Sequence, residues 1–192
     1  MHELGQIVRL QVQRSSLKTG EKPVRVYSPA RLLVVERLAV GPDGVLGEGP
    51  DGAWIVDVHH RAHPATKNED GAHGVSLGFT GHYRLMRERF GDRITSGCAG
   101  ENILVEADER VALTDLAGGV ACVAADGRTL VRLEVLQVAH PCRPFSGWAL
   151  GAQVEPEVLK ETLQFLDEGT RGFYCLGVGS GIISVGDRVV LP

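Results

Sequence analysis

The chain has 192 residues, 43% of them hydrophobic and 23% charged, with a formal net charge of −4. This composition supports a packed core and excludes a disordered chain, and the lack of a basic excess argues against a nucleic-acid surface. No apolar run approaches the roughly 20 residues needed to cross a bilayer, so no membrane partner is expected.

Other global features narrow the class further. The 25 glycines favour a β-rich chain with many tight turns and bulges. The N-terminus lacks a basic region followed by an apolar core, so no secretory leader is expected. The four cysteines, Cys98, Cys122, Cys142 and Cys175, stand too far apart for a zinc knuckle or a disulfide framework. A reducing cytoplasm is the simplest setting.

Taken in order, Gly5 to Arg14 alternates apolar and polar residues and reads as a half-buried strand. Ser15 to Ser28 is polar and reads as a surface loop or hairpin. Leu32 to Val35 opens a second strand that ends at the turn signal Gly41-Pro42-Asp43-Gly44. A turn-rich stretch then leads to a strand over Ala53 to Val58.

The next segment, His59-His60-Arg61-Ala62-His63-Pro64-Ala65-Thr66-Lys67-Asn68, holds three histidines within five positions. With Asp57 they form a candidate zinc or iron site. Pro64, however, argues against a helix carrying two histidines one turn apart. The same side chains can instead donate to an anion, with Lys67 as a point charge. A solvated polar loop is the third possibility.

Gly74 to Phe79 reads as a strand, and Thr80 as the N-cap of a helix closed by Gly91, with Tyr83, Met86 and Phe90 facing the core. Ser96 to Val105 runs from a glycine-rich turn into a strand, with Glu101 and Asn102 at its mouth. Val111 to Leu113, Gly119 to Ala124 and Leu130 to Val138 read as a meander with an Asp126-Gly127 hairpin. Glu155 to Asp167 reads as a helix with an apolar stripe of Val158, Leu159, Leu163 and Leu166. Gly172 to Val178, Ile182 to Val185 and Arg188 to Leu191 supply the last strands. The whole chain, 1–192, is expected to form one mainly β domain. It would be a barrel-like arrangement of bent antiparallel or mixed strands, roughly ten in number, with about two peripheral helices.

His140-Pro141-Cys142-Arg143-Pro144-Phe145 follows the strand that ends at Val138. The prolines stiffen the segment, and the basic neighbours His140 and Arg143 favour a thiolate at Cys142. A thiolate is a nucleophile and a soft-metal ligand. The simpler alternative is that Cys142 is a small buried hydrophobe.

Several of these stretches, in this order, resemble one family. They are Asp57-Val58-His59-His60 with Pro64 and Lys67 after it, Gly100-Glu101-Asn102-Ile103, the strand ending in Pro141-Cys142, Thr170-Arg171-Gly172-Phe173-Tyr174, and Ser180 to Val189. Together they resemble the MOSC domain, the C-terminal domain of molybdenum cofactor sulfurases, from about Gly5 to the end of the chain. The resemblance implies a β-rich barrel and binding of the molybdenum cofactor (molybdopterin), a pterin dithiolene carrying molybdenum and a phosphate. It places the family's cysteine, which ligates molybdenum or carries sulfur, on Cys142. It puts Gly100, Glu101 and Asn102 at the cofactor pocket. His59, His60 and Lys67 would stand near the phosphate or pterin. Ala139 occupies a position where stand-alone members often carry arginine, and Arg143 is expected to replace that charge.

Three functions are therefore expected in competition. The first is an oxidoreductase that reduces N-hydroxylated or related small-molecule substrates, fed by an electron-donor protein. The second is a carrier that takes sulfur from a sulfur-donor protein, or takes the cofactor, and delivers it to a partner enzyme from Cys142. The third is a zinc or iron protein built on His59, His60, His63 and Asp57.

Overall fold

Two strands that run side by side in the same direction cannot be joined by a tight hairpin; they need a crossover. This chain makes one such crossover, and the candidate site forms around it. In the computed structural model, which describes residues 2–151 and 155–192, strand β8 (Val75–Phe79) passes into helix α1 (Thr80–Phe90). The chain then returns to strand β9 (Ile103–Val105), parallel to β8, with Leu77 opposite Ile103.

The elements before the crossover are β1 (His2–Gln13), the small hairpin β2 (Lys18–Thr19) and β3 (Val26–Tyr27), β4 (Leu32–Val35), β5 (Arg37–Gly41), β6 (Gly44–Glu48) and β7 (Trp54–Val56). After it come β10 (Val120–Val123), β11 (Thr129–Val138), α2 (Arg143–Leu150), α3 (Pro156–Leu166), β12 (Phe173–Val178), β13 (Gly181–Ser184) and β14 (Arg188–Leu191). Seven strands close into a barrel in the order β14-β10-β11-β12-β8-β9-β1, with β1 pairing back onto β14. All neighbours except β8 and β9 are antiparallel. The fold is mainly β with a mixed barrel, as expected from the sequence.

Strand β1 closes the barrel and also carries β4 beyond it in the same sheet. Its first half pairs with β14 and its last residues with β4. Register shifts at Glu3/Gly5 and at Ile7/Arg9 bend it, as bulges do. Gly5 is required at the first of these: its φ is +151°, and an added Cβ would fall 1.7 Å from the Glu106 carbonyl oxygen. A second sheet, β13-β5-β6-β7, contributes Leu38, Val40, Val45 and Ile183 to the barrel's core.

Strand β11 alternates between core and solvent. Val131 and Leu133 are buried while Arg132 and Glu134 are exposed. A second apolar cluster joins α1, α2, α3 and the β2–β3 hairpin through Tyr27, Tyr83, Met86, Phe145, Ala149 and Leu166. The Tyr27 ring stands edge-on to Phe145 at 5.1 Å and against Trp148 at 5.7 Å. This packing fixes the hairpin beside α2.

Several local expectations are corrected. Residues 143–150 form helix α2, so the proline-stiffened cysteine segment His140 to Phe145 runs into a helix from Arg143 onward. Val111 to Leu113 is not a strand; a 3₁₀ turn covers Leu113–Leu116. Thr80 does not cap α1. Phe79 holds the cap position, and the Thr80 hydroxyl is bonded to the Ala107 backbone instead. Val158 lies on the wet face of α3, and the buried face uses Thr162 and Leu166.

Candidate functional site

The loop after β7 is fixed by one carboxylate. Asp57 is wholly buried, and a buried carboxylate needs donors around it. It has four: the Gln13 amide at 2.7 Å and the Asn102 side-chain amide at 3.1 Å on Oδ2, and the His59 amide and His59 Nδ1, both at 2.9 Å, on Oδ1. The carboxylate can only accept, so Nδ1 of His59 carries the proton and Nε2 is left for other partners. Asn68, also buried, donates to the His59 carbonyl at 2.8 Å and accepts from the His73 amide at 2.8 Å. The histidine loop is thus pinned at both ends.

The turn into β9 supplies the facing wall. Gly100 has φ +92°, and its carbonyl accepts from Gln13 Nε2 at 2.8 Å. Glu101 is buried; its Oε2 accepts from the Tyr83 hydroxyl at 2.8 Å, and that hydroxyl accepts from the Ala99 amide at 3.0 Å. Burial raises the Glu101 carboxyl above its ordinary range, against the pull of the Tyr83 hydrogen bond and of Arg171. Its Oε1 is buried with no hydrogen-bond partner. Carbon-13 NMR of the carboxyl groups is expected to find one glutamate titrating above the ordinary value of about 4.3. That signal should vanish in Glu101→Gln; a titration in the ordinary range would refute the burial argument.

Asn102 sits behind this wall. Its Oδ1 accepts from the Ser76 amide and hydroxyl, and its Nδ2 donates to the Gln11 carbonyl and to Asp57. The amide is fully occupied within the protein. It ties β8, β1 and Asp57 together.

Between these walls lies a cavity of about 390 Å³, lined by His59, Lys67, Gly100 and Glu101. Four cationic side chains reach it: Lys18 and Arg25 from the hairpin, Lys67 from the histidine loop, and Arg171 from the turn before β12. Glu101 is the one acidic residue on the wall. Arg171 donates to the Ala99 carbonyl at 2.9 Å and the His140 carbonyl at 3.3 Å, and lies 5.1 Å from the Phe145 ring centroid. Its Nε is buried without a partner, and so is Nε of Arg25. Three residues of one cavity wall, Arg25, Glu101 and Arg171, therefore each carry a buried polar atom without a partner, at a cost in free energy. An anion with some hydrogen-donating edge suits this lining.

Cys142 occupies the cap position at the start of α2, and its carbonyl accepts from the Ser146 amide at 3.0 Å. It is not on the cavity wall, but it lies close enough to Arg171 and Tyr27, both wall residues, to interact with them electrostatically. It is the only one of the four cysteines that is not buried. Burial pushes the Cys98 and Cys122 thiols up to about 12, and Cys175 higher still, so none of these three forms a thiolate readily.

The remaining sequence candidates stand apart. Arg143 is exposed on the first turn of α2, away from the wall. His60 faces a second, shallower cavity beside β5, β6 and β13, and its Nδ1 accepts from the Ala62 amide at 3.1 Å. His63 Nε2 lies 3.1 Å from the Arg14 carbonyl. The histidines of the proposed zinc or iron site thus turn to three different surroundings. Among the described residues no three His, Cys, Asp or Glu side chains are grouped as metal ligands would be. The sequence reading missed three of the cavity's cations, Lys18, Arg25 and Arg171, and Arg171 is the most telling. It belongs to a stretch that carried the family resemblance, yet nothing local marks it as a wall residue.

Comparisons with known proteins follow this geometry. The family described as the MOSC domain matches residues 72–190. The YuaD protein from Bacillus subtilis is similar in structure, with a TM-score of 0.59, 13% identity, and coverage of 96% of this chain and 93% of that one. YiiM from Geobacillus stearothermophilus gives 0.55 at 19% identity, covering 97% and 74%. YiiM from Escherichia coli gives 0.55 at 13% identity, covering 100% and 70%. At these identities the likenesses speak to the fold. No curated protein matches the sequence.

Proposed function

Because the chain belongs to the MOSC domain family, a family associated with the molybdenum cofactor, we propose that its cavity holds that cofactor. The observation that carries this reading is the convergence of four cationic residues, Lys18, Arg25, Lys67 and Arg171, on one cavity wall, two of which, like Glu101 beside them, carry a buried polar atom without a partner. The residues fit the group. Arg171, Arg25, Lys18 and Lys67 match a phosphate, and Glu101 matches the donor edge of a pterin. Cys142, the least buried thiol, is the soft ligand for molybdenum. When bound, the cofactor would supply two-electron redox chemistry.

On this reading the protein is an oxidoreductase component acting on N-hydroxylated or related small molecules. The chain's own residues bind and orient: the basic wall holds the anionic end, Asp57 aims His59, and Tyr83 holds Glu101. Electrons must come from a separate donor protein.

The position of Cys142 outside the cavity wall, at the start of a helix, favours a second reading. Cys142, which is not buried, is placed to carry sulfur for delivery to a partner enzyme.

Molybdenum and pterin analysis separates the two. Protein from a cofactor-producing host fed molybdate is expected to contain both, and Cys142→Ser to lose the metal. A sulfane-sulfur adduct on Cys142 by mass spectrometry, with no pterin, would instead establish the carrier. With neither present, the cofactor reading fails.

A further inference from the structure

Asp57 and His59 are built more elaborately than a binding wall requires. Asp57 is fully enclosed, and both of its oxygens are occupied. Its one side-chain contact with a residue of the cavity wall is His59 Nδ1, at 2.9 Å. The loop around His59 is tied down a second time by Asn68. The result is an imidazole with a fixed ring orientation and a fixed Nδ1 proton, lining a cavity rich in cations. In the neutral ring, Nε2 is a lone-pair acceptor, which meets an oxyanion unfavourably; only the protonated ring can donate to it.

We propose that oxyanion binding in the cavity takes up one proton on Nε2 of His59, with Asp57 as the positioning residue. The proton comes from solvent, the imidazolium N–H donates to the anion, and Asp57 accepts from Nδ1–H in both states. No bond other than N–H forms. The inference rests on the reading of the cavity as an anion site, and the ligand class is an oxyanion such as a phosphate or molybdate. The groups that share the cavity are Lys67 on the same loop, and Lys18, Arg25 and Tyr27 on the hairpin side. Glu101 faces from the turn before β9, and Arg171 and Tyr174 from the segment leading into β12. Of these, Glu101 is the one other group able to take up a proton as an anion arrives.

Calorimetry of cofactor-free protein with molybdate, a dianion above neutral pH, tests this in two buffers of different ionisation enthalpy. Uptake of up to one proton per anion is expected, with affinity falling by up to about tenfold per pH unit as the pH rises above neutrality. His59→Gln should abolish both the uptake and the slope, and Glu101→Gln should keep them. Binding without proton uptake, or uptake that survives His59→Gln, overturns the proposal and leaves the anion cavity standing. No molybdate binding in the wild type overturns the anion cavity itself and the proposal with it. Nitrogen-15 NMR of the wild type supplies a check independent of any variant: neutral His59 is expected as the Nδ1–H form, whereas an Nε2–H form removes Asp57 from the argument.

Discussion

Replacing Arg171 with methionine is expected to empty the cavity of anionic ligands. The guanidinium is held by two backbone carbonyls, those of Ala99 and His140, and lies over the Phe145 ring, so its fork is preorganised. Its Nε is already desolvated and unpartnered. Charge-assisted hydrogen bonds of this kind are worth about 1.5–3 kcal/mol each, and losing one strong contact lowers affinity by roughly a hundredfold. The measurement is molybdenum and pterin per polypeptide, with molybdate affinity in the cofactor-free protein beside it. Arg171→Lys keeps the charge without the fork and should recover only part of the affinity. A variant that loses stability but keeps wild-type affinity would show that Arg171 only ties the Ala99 turn to α2.

Acid is expected to destabilise the protein through His82, a buried residue of α1 that does not line the cavity. The ring is 1% exposed on α1, between Phe79 at 5.4 Å and Phe173 at 5.8 Å. Its Nε2 is 3.1 Å from the Val111 backbone, and its Nδ1 is buried without a partner. Burial lowers its pKa from 6.5 to about 4; the Val111 backbone contact pulls the other way, and Arg110 adds to the lowering. The folded state therefore keeps His82 neutral while the unfolded chain binds a proton below about 6.5. The stabilisation is fully present above that pH, is lost as the pH falls toward 4, and levels off below it. The gap corresponds to about 3 kcal/mol. Urea titrations at a series of pH values should show this loss, and His82→Gln should flatten it. An unchanged slope in His82→Gln would assign the acid sensitivity to other groups.

Much of the strand framework was legible because it depends on local alternation. The runs that became β1, β8 and β11 carry it openly. Helix α2 was hidden because Pro144, Ser146 and Gly147 are poor helix formers; Phe145 and Trp148, packed on Tyr27, override them. Val158 misled the reading of α3 because helical spacing marks a face without saying what lies opposite. The candidate site was half legible. His59, Lys67, Gly100 and Glu101 were named from clusters in sequence, whereas Arg171 reaches the same cavity from 70 residues beyond Glu101 and announces itself only in three dimensions. Asn102 drew attention as a polar residue at a strand mouth, and the fold uses it to brace Asp57.

The pairing of β1 with β14 has a consequence for how the protein is made. Glu3 and Arg188 meet across 185 positions of sequence, so the barrel closes only when its final strand arrives. On a ribosome, β1 waits with one edge open until β14 has emerged, and closing so long a loop is slow. That waiting edge is a template for mispairing with another nascent chain. Yield in cells should therefore depend on growth temperature and chaperone supply more steeply than the stability of the finished barrel suggests.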